Sequence, residues 1–221
     1  MKLESNLEER SKQEHMAHVN TTMPDAAGLR RSSIKTRCMR SLLTFLSALT
    51  LSFWASTLVA QTIAKEYRIK AAFLFNFAQY VEWPPDTFKD ANSPLTYCTI
   101  GDDPFQGMLD ESLNAKSVGT HPLRVQHLKQ SENFQGCQIL FIGANEKKRI
   151  TAVLETLKLS PVLVVGESNH FVQQGGTVGF LSEDNTIRFE VNLDVAQRAG
   201  LNISATLLSV AKTVINTAGG K

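Results

Sequence analysis

The clearest hydrophobic pattern in the chain lies at residues 67–85, where apolar positions repeat with a helical period. One stripe of this helix consists of Ile69, Ala72, Phe73, Phe77 and Tyr80, and a neighbouring stripe consists of Leu74, Ala78 and Val81. A helix that is apolar over most of its circumference is buried on more than one side. Pro84 and Pro85 are expected to end the helix after Trp83, because proline lacks the backbone N–H that a helix needs.

This helix carries more aromatic side chains than one core needs, so two placements stay open. In the first, the whole helix belongs to the core. In the second, the stripe containing Phe77 packs on the domain's own sheet, and other apolar side chains face a dimer or partner interface. The side chains of that possible interface are Phe75, Leu74, Ala78, Val81 and Trp83. A helix predicted at residues 205–215 is the internal alternative, because it could cover the same face.

The rest of the pattern alternates between strands and helices. Strands are predicted at 95–101, 123–128, 137–142 and 161–166, and helices at 105–113 and 147–159. Two later strands, 177–181 and 186–193, are separated by a short polar turn and predict a hairpin. The alternation favours an α/β fold, a single domain with a mixed, mostly parallel sheet flanked by helices on both faces.

Charge is distributed unevenly along the chain. The net charge is +2, but residues 1–40 hold eight Lys and Arg residues against five acidic ones, so the remainder is nearly neutral. A near-neutral body has no basic footprint for nucleic acid, and we expect no nucleic-acid function.

Residues 41–60 form an apolar run that follows a basic segment and ends at Ala60. This layout is typical of a secretory signal peptide, and an uncleaved membrane anchor is the alternative. We expect residues 1–60 to be an N-terminal extension and signal peptide, removed near Ala60, and residues 61–221 to be the α/β domain. Either Met1 or Met39 could be the true start, and Met39 is favoured because it opens an ordinary signal peptide.

Two cysteines, Cys98 and Cys137, remain after the leader is removed. They lie in the first and third predicted strands, which are neighbours in a doubly wound order such as 2-1-3-4. Adjacent strands are about 4.8 Å apart, a distance that suits a disulfide. In an exported protein we therefore predict a bond that contributes on the order of 3–4 kcal/mol. Two buried reduced cysteines are the alternative.

The sequence offers little catalytic chemistry. His121, His127 and His170 have no metal-binding spacing, and Ser168 does not lie in a GxSxG motif. Phosphate-binding and dinucleotide-binding glycine motifs are missing from the sequence. Asp102 and Asp103 follow the first strand, where they are expected to start a helix. No catalytic, cofactor-binding or metal-binding residue is predicted, and an enzyme is not expected.

One row of polar side chains alternates along the last predicted strand. It consists of Arg188, Glu190 and Asn192. The row could face a ligand, or it could be the solvated side of an edge strand, and the second interpretation is favoured.

Six segments in this order resemble the YfiR family of exported bacterial proteins. They are residues 70–84, 98–105, 137–143, 161–167, 175–181 and 188–204. The resemblance implies a periplasmic regulator, not an enzyme. It would bind the periplasmic sensor domain of an inner-membrane diguanylate cyclase and restrain it, and so act negatively on cyclic-di-GMP signalling and biofilm formation.

The resemblance also implies an α/β fold, a homodimer and no cofactor. Cys98 and Cys137 match cysteine positions of the family, but this chain lacks the second cysteine pair that other members carry.

A different class of function stays open beside the regulator. A parallel sheet has a crevice at the carboxyl ends of its strands, here near Gly101, Gly143 and Gly166. The chain could therefore be a periplasmic small-molecule binding module that feeds a sensor kinase.

Overall fold

The computed structural model describes residues 61–129, 133–184 and 186–217, all of which belong to one compact unit, Val59–Lys221. The signal peptide, the cleavage point near Ala60 and the choice between Met1 and Met39 lie outside the described residues. Within these ranges, no helix is both long enough and apolar enough to cross a bilayer.

Helix α1 covers residues 61–80 and is followed directly by a short strand, β1 (Val81–Glu82). β1 pairs antiparallel with β9 (Asn202–Ile203), and the Ser204 N–H donates to the Tyr80 carbonyl. The prediction that the helix continues to Trp83 is therefore wrong at its end. Pairing with β9 draws Val81 into extended geometry before the two prolines are reached.

Among the described residues, eight strands form the main sheet in the order β10-β8-β7-β6-β5-β2-β4-β3. Their bounds are Leu95–Ile100 (β2), Ser117–Val118 (β3), His121–Leu128 (β4), Ile139–Ile142 (β5), Leu163–Gly166 (β6), Val178–Glu183 (β7), Thr186–Asn192 (β8) and Thr213–Ile215 (β10). Strands β4, β2, β5, β6 and β7 are mutually parallel. The predicted 2-1-3-4 order is confirmed as β4-β2-β5-β6.

The carboxyl-terminal part of the sheet contains both the predicted hairpin and an unpredicted strand. β7 and β8 pair antiparallel with Phe180 opposite Phe189, which confirms the hairpin. The predicted helix at 205–215 is wrong in its second half. The helix α5 (Ala205–Val210) ends early, and β10 pairs parallel with β8. Thr213 and Val214 are β-branched and favour a strand over a helix.

Helices cover both faces of the sheet. The remaining helices are α2 (Met108–Leu113), α3 (Ile150–Leu157) and α4 (Leu193–Arg198), with 3-10 turns at Pro85–Thr87 and Ala144–Arg149. On one face α1, α2, α4 and α5 enclose a large core around Phe77 and Phe141. On the other face α3 packs Ile150, Val153 and Leu157 against the sheet. The mixed α/β architecture is thus the predicted one.

Both predicted stripes of α1 contribute to the core, as in the first of the two placements: Phe77 belongs to one stripe, and Leu74, Ala78 and Val81 belong to the other. Leu74, Ala78 and Val81, which the second placement assigned to an interface, are 0%, 2% and 5% exposed. Ala72 and Tyr80, placed toward the sheet, are exposed. The charged Lys70 lies on the same buried stripe as Ala71 and Leu74. Hydrophobicity alone does not predict that a charged side chain is buried.

The predicted disulfide is present between Cys98 on β2 and Cys137 just before β5, with Cα atoms 5.8 Å apart. It lies in the core on the α3 face. The bond cross-links the neighbouring strands β2 and β5 near the start of β5 and closes a separation of 39 residues.

Candidate functional site

The carboxyl edge of the sheet holds a buried ion pair between Lys70 of α1 and Glu167, the residue after β6. Their side chains are only 4% and 6% exposed. Lys70 Nζ also lies 2.6 Å from a carboxylate oxygen of Glu66, one helical turn earlier. A buried charge pair of this kind holds α1 against the ends of the strands.

Two further hydrogen bonds complete the surroundings of Glu167. The Tyr67 hydroxyl donates to Oε1 at 2.9 Å, and the Ala144 N–H after β5 donates to the same oxygen at 2.8 Å. Burial, and then the neighbouring Glu167 carboxylate, raise the pKa of Tyr67 well above its ordinary value. Tyr67 therefore stays a neutral donor, and Glu167 links α1 to two neighbouring strands.

This network lies in the crevice near Gly143 and Gly166 that the small-molecule alternative assigns to a ligand. The Tyr67 ring also packs edge-on against Phe105, which in turn packs on Phe141. Side chains of the chain itself therefore fill this part of the carboxyl edge.

A groove of about 510 Å³ lies at the amino-terminal end of β2, opposite the carboxyl edge of the sheet. Its lining residues are Ala78, Val81, Trp83, Pro85, Phe88, Lys89, Asp90, Ala91, Leu95, Val118 and His121. Phe88 stacks on the His121 ring, with centroids 4.0 Å apart. The groove thus has an apolar floor, an aromatic wall and a rim that carries Lys89 and Asp90.

The structure brings three of the five predicted interface residues to this groove. Ala78 and Val81 form part of its floor, and the half-buried Trp83 lines its wall. The Trp83 indole N–H donates to the Gln138 carbonyl at 3.3 Å, which fixes the ring. Leu74 lies in the core and does not line the groove.

Phe75, the fifth predicted residue, is half-buried beside Lys116. The Lys116 ammonium lies 4.5 Å from the centre of the Phe75 ring, a cation–π contact. Lys116 directly precedes β3, whose Val118 lines the groove. An interface role for these five residues stays a prediction, now carried by Phe75 and the groove residues.

The predicted polar row is only partly a surface feature. Arg188 is exposed, but β8 lies between β10 and β7 and is not an edge strand, so that part of the interpretation is wrong. The Asn192 amide donates to the Val172 carbonyl at 2.9 Å, and its oxygen accepts from the Val195 N–H at 3.1 Å. Asn192 therefore caps α4.

The fold also brings His127 together with Asp103 and Asp110, a grouping that the sequence does not predict. The three residues come from β4, from the loop after β2 and from α2. Histidine spacing alone could not find this group because each element contributes one of its residues.

A family model described as YfiR/HmsC-like matches residues 67–212. The match begins inside α1 and ends just before β10, so it covers both the ion-pair network and the groove.

Two solved structures show partial likeness to the chain. One is a conserved domain protein from Vibrio cholerae, with 10% identity, a TM-score of 0.42 and coverage of 54% of each chain. The other is an ABC domain in complex with L-Trp from Streptococcus pneumonia, with 12% identity, a TM-score of 0.42 and coverage of 55% of each chain. The chain spans about half the length of each.

Proposed function

The chain belongs to the YfiR/HmsC-like family, and from this premise we propose that it is a periplasmic protein that binds and restrains the sensor domain of an inner-membrane signalling enzyme, a diguanylate cyclase. The family match is the observation that carries this proposal. At the level of the family it supports a periplasmic regulator of the cyclic-di-GMP pathway. The chain would act by binding rather than by catalysis.

Export is part of the proposal. Residues 1–60 would be the extension and signal peptide, cleaved near Ala60, and residues 61–221 the exported domain. The Cys98–Cys137 bond supports this, because disulfides persist in oxidising compartments such as the periplasm.

The groove and the adjoining Phe75 surface are the proposed contact for the sensor domain. Interfaces commonly place aromatic anchors in a desolvated centre and polar groups at the rim. Trp83 and Phe88 provide the aromatic groups, and Lys89 and Asp90 provide the rim. An apolar side chain of the partner would enter between them. The same surface is the proposed place for a homodimer contact, and sedimentation of the free chain would test it.

The functional experiment compares cyclic-di-GMP levels in cells. Deletion of the chain should raise cyclic-di-GMP while the partner cyclase is expressed, and the wild-type chain should restore the low level. Unchanged nucleotide levels in the deletion strain would contradict the proposal. Capture of membrane proteins on the chain identifies the partner: a cyclase supports the proposal, whereas a sensor kinase would favour the small-molecule module.

Phe75→Glu tests the proposed surface. The new carboxylate would lie beside the Lys116 ammonium, so we expect the fold to tolerate it. Repression of the cyclase should fall while the melting temperature changes little. Leu159→Glu is the matched control, because Leu159 is 75% exposed and follows α3 on the other face of the sheet. Full repression by Phe75→Glu would remove Phe75 from the interface.

A further inference from the structure

Three ligand-bearing side chains meet at the carboxyl end of β2. They are Asp103 in the loop after β2, Asp110 on α2 and His127 on β4, and one ligand atom of each lies within 4.8 Å of the others. His127 Nε2 is 3.1 Å from Asp110 Oδ2. The cluster therefore combines one imidazole nitrogen with two carboxylates drawn from three elements.

The His127 ring is held from its far side by a buried hydroxyl. Its Nδ1 lies 2.7 Å from Thr99 Oγ1, and Thr99 is 0% exposed. When Nδ1 carries the proton and donates to that hydroxyl, the Nε2 lone pair faces the two carboxylates. Metal-binding histidines are typically oriented in this way by a partner on the second ring nitrogen.

Asp103 is fixed by the backbone of its own loop. The Phe105 N–H donates to Oδ1 at 2.9 Å, and the Gly107 N–H donates to Oδ2 at 2.7 Å. Each carboxylate oxygen keeps a second lone pair. Asp103 and Asp110 are half-buried and His127 is exposed, so a cation can reach the cluster from solvent.

We propose that Asp103, Asp110 and His127 form a binding site for a divalent transition-metal ion, with Zn²⁺ as the ion that fits best. Imidazole nitrogen is a good ligand for zinc, copper and nickel, whereas Mg²⁺ and Ca²⁺ prefer oxygen ligands alone. Ligand atoms about 2.0–2.2 Å from a tetrahedral zinc lie about 3.3 Å from one another. The His127–Asp110 separation of 3.1 Å is close to that value, and the ligand atom of Asp103 lies within 4.8 Å of both.

The proposed site has two structural consequences. Zinc would join α2 and β4 to the end of β2 and so stabilise this edge of the sheet. Three protein ligands leave a fourth position for water or for a side chain of another molecule. This inference does not depend on the regulatory role, because the ligands lie away from the groove.

Calorimetric titration of Zn²⁺ into the untagged full chain tests the site, with Co²⁺ absorption as a spectroscopic readout. His127→Ala and Asp110→Asn should each lose one equivalent of bound metal. His121→Ala is the matched control, because His121 lies on the same strand with its Nδ1 2.7 Å from the Ser93 carbonyl. It should retain that equivalent.

Thr99→Val distinguishes a positioned ligand from an exposed surface histidine. It replaces the hydroxyl with a methyl group of similar size, and it should weaken Zn²⁺ binding about 10- to 100-fold while one equivalent still binds at saturation. His15, His18 and Cys38 could hold additional metal, so the site is measured as the equivalent that His127→Ala removes. No binding, or equal binding by wild type and His127→Ala, overturns the proposal. In that case the contact between His127 and Asp110 is a hydrogen bond and nothing more.

Discussion

Replacing Lys70 with Met should destabilise the domain strongly, although lysine is a residue usually found on the surface. The Lys70 and Glu167 side chains are 4% and 6% exposed, so solvent does little to screen the pair. Met keeps the length of the side chain but leaves the Glu167 carboxylate buried without its cation. Breaking a buried pair on one side costs about 3–5 kcal/mol. For a domain of this size, that corresponds to a fall of about 6–20 °C in melting temperature.

Urea and thermal denaturation of the variant give the free energy of unfolding. Lys212→Met is the matched control, because Lys212 pairs with Glu183 at side-chain exposures of 39% and 43%. An exposed pair contributes about 0–1 kcal/mol, so the control should unfold close to wild type. The contrast between the two lysines isolates burial from charge.

A double-mutant cycle with Glu167→Gln completes the test. The Gln oxygen can still accept from the Ala144 N–H, so the double variant should recover part of the stability lost in Lys70→Met. A Lys70→Met protein within about 1 kcal/mol of wild type would refute the reasoning. The ion pair would then contribute no more than a surface contact.

Three further changes test other parts of the fold by the same denaturation measurements. Cys98→Ser should cost about 2–5 kcal/mol, and a midpoint equal to that of the oxidised wild type would contradict the role of the disulfide. Gly166→Ala should cost about 1–3 kcal/mol, because a methyl group there overlaps the Phe171 ring, whereas Gly143→Ala meets only ordinary contacts. The folded-state pKa of Tyr67 is raised, so its contribution is complete below the unfolded pKa of about 10 and is lost as pH rises above it. Stability should fall above about pH 10, and less so in Tyr67→Phe; equal pH profiles would contradict this.

The sheet could be predicted because its central strands are continuous apolar runs. Residues Ile139–Ile142 and Leu163–Gly166 are buried on both faces, which leaves no polar position to confuse the pattern. The disulfide prediction depended on the strand order, and the order followed from general rules of parallel α/β sheets.

Hydrophobicity failed where a buried side chain is charged. Lys70 can lie on the buried stripe of α1 because the Glu167 carboxylate neutralises its charge. Glu167 lies 97 positions later in the chain. The partner cannot be known from the helix sequence alone. The predicted stripes therefore include Ala72, which is exposed, and omit Lys70 and Ala71, which are buried.

The metal cluster was missed for a related reason. The ligands are one residue each from a loop, a helix and a strand, and only the pairing of β2 with β4 brings Thr99 opposite His127. Sequence motifs find metal sites when two ligands share one element at fixed spacing. The tertiary fold has to be known before this group becomes visible.

Helix α1 runs from the carboxyl ends of the strands, where Lys70 contacts Glu167, to the groove at the amino-terminal end of β2. Its middle is fixed at the carboxyl edge by Lys70 and Glu167, and its end contributes Ala78 to the floor of the groove. The Ser204 N–H and the pairing of Val81 with Ile203 hold that end from the other side. A groove floor held at both points loses little conformational freedom when a partner binds, which favours affinity. The buried ion pair therefore supports the proposed binding surface from a distance, by keeping the helix that forms it in place.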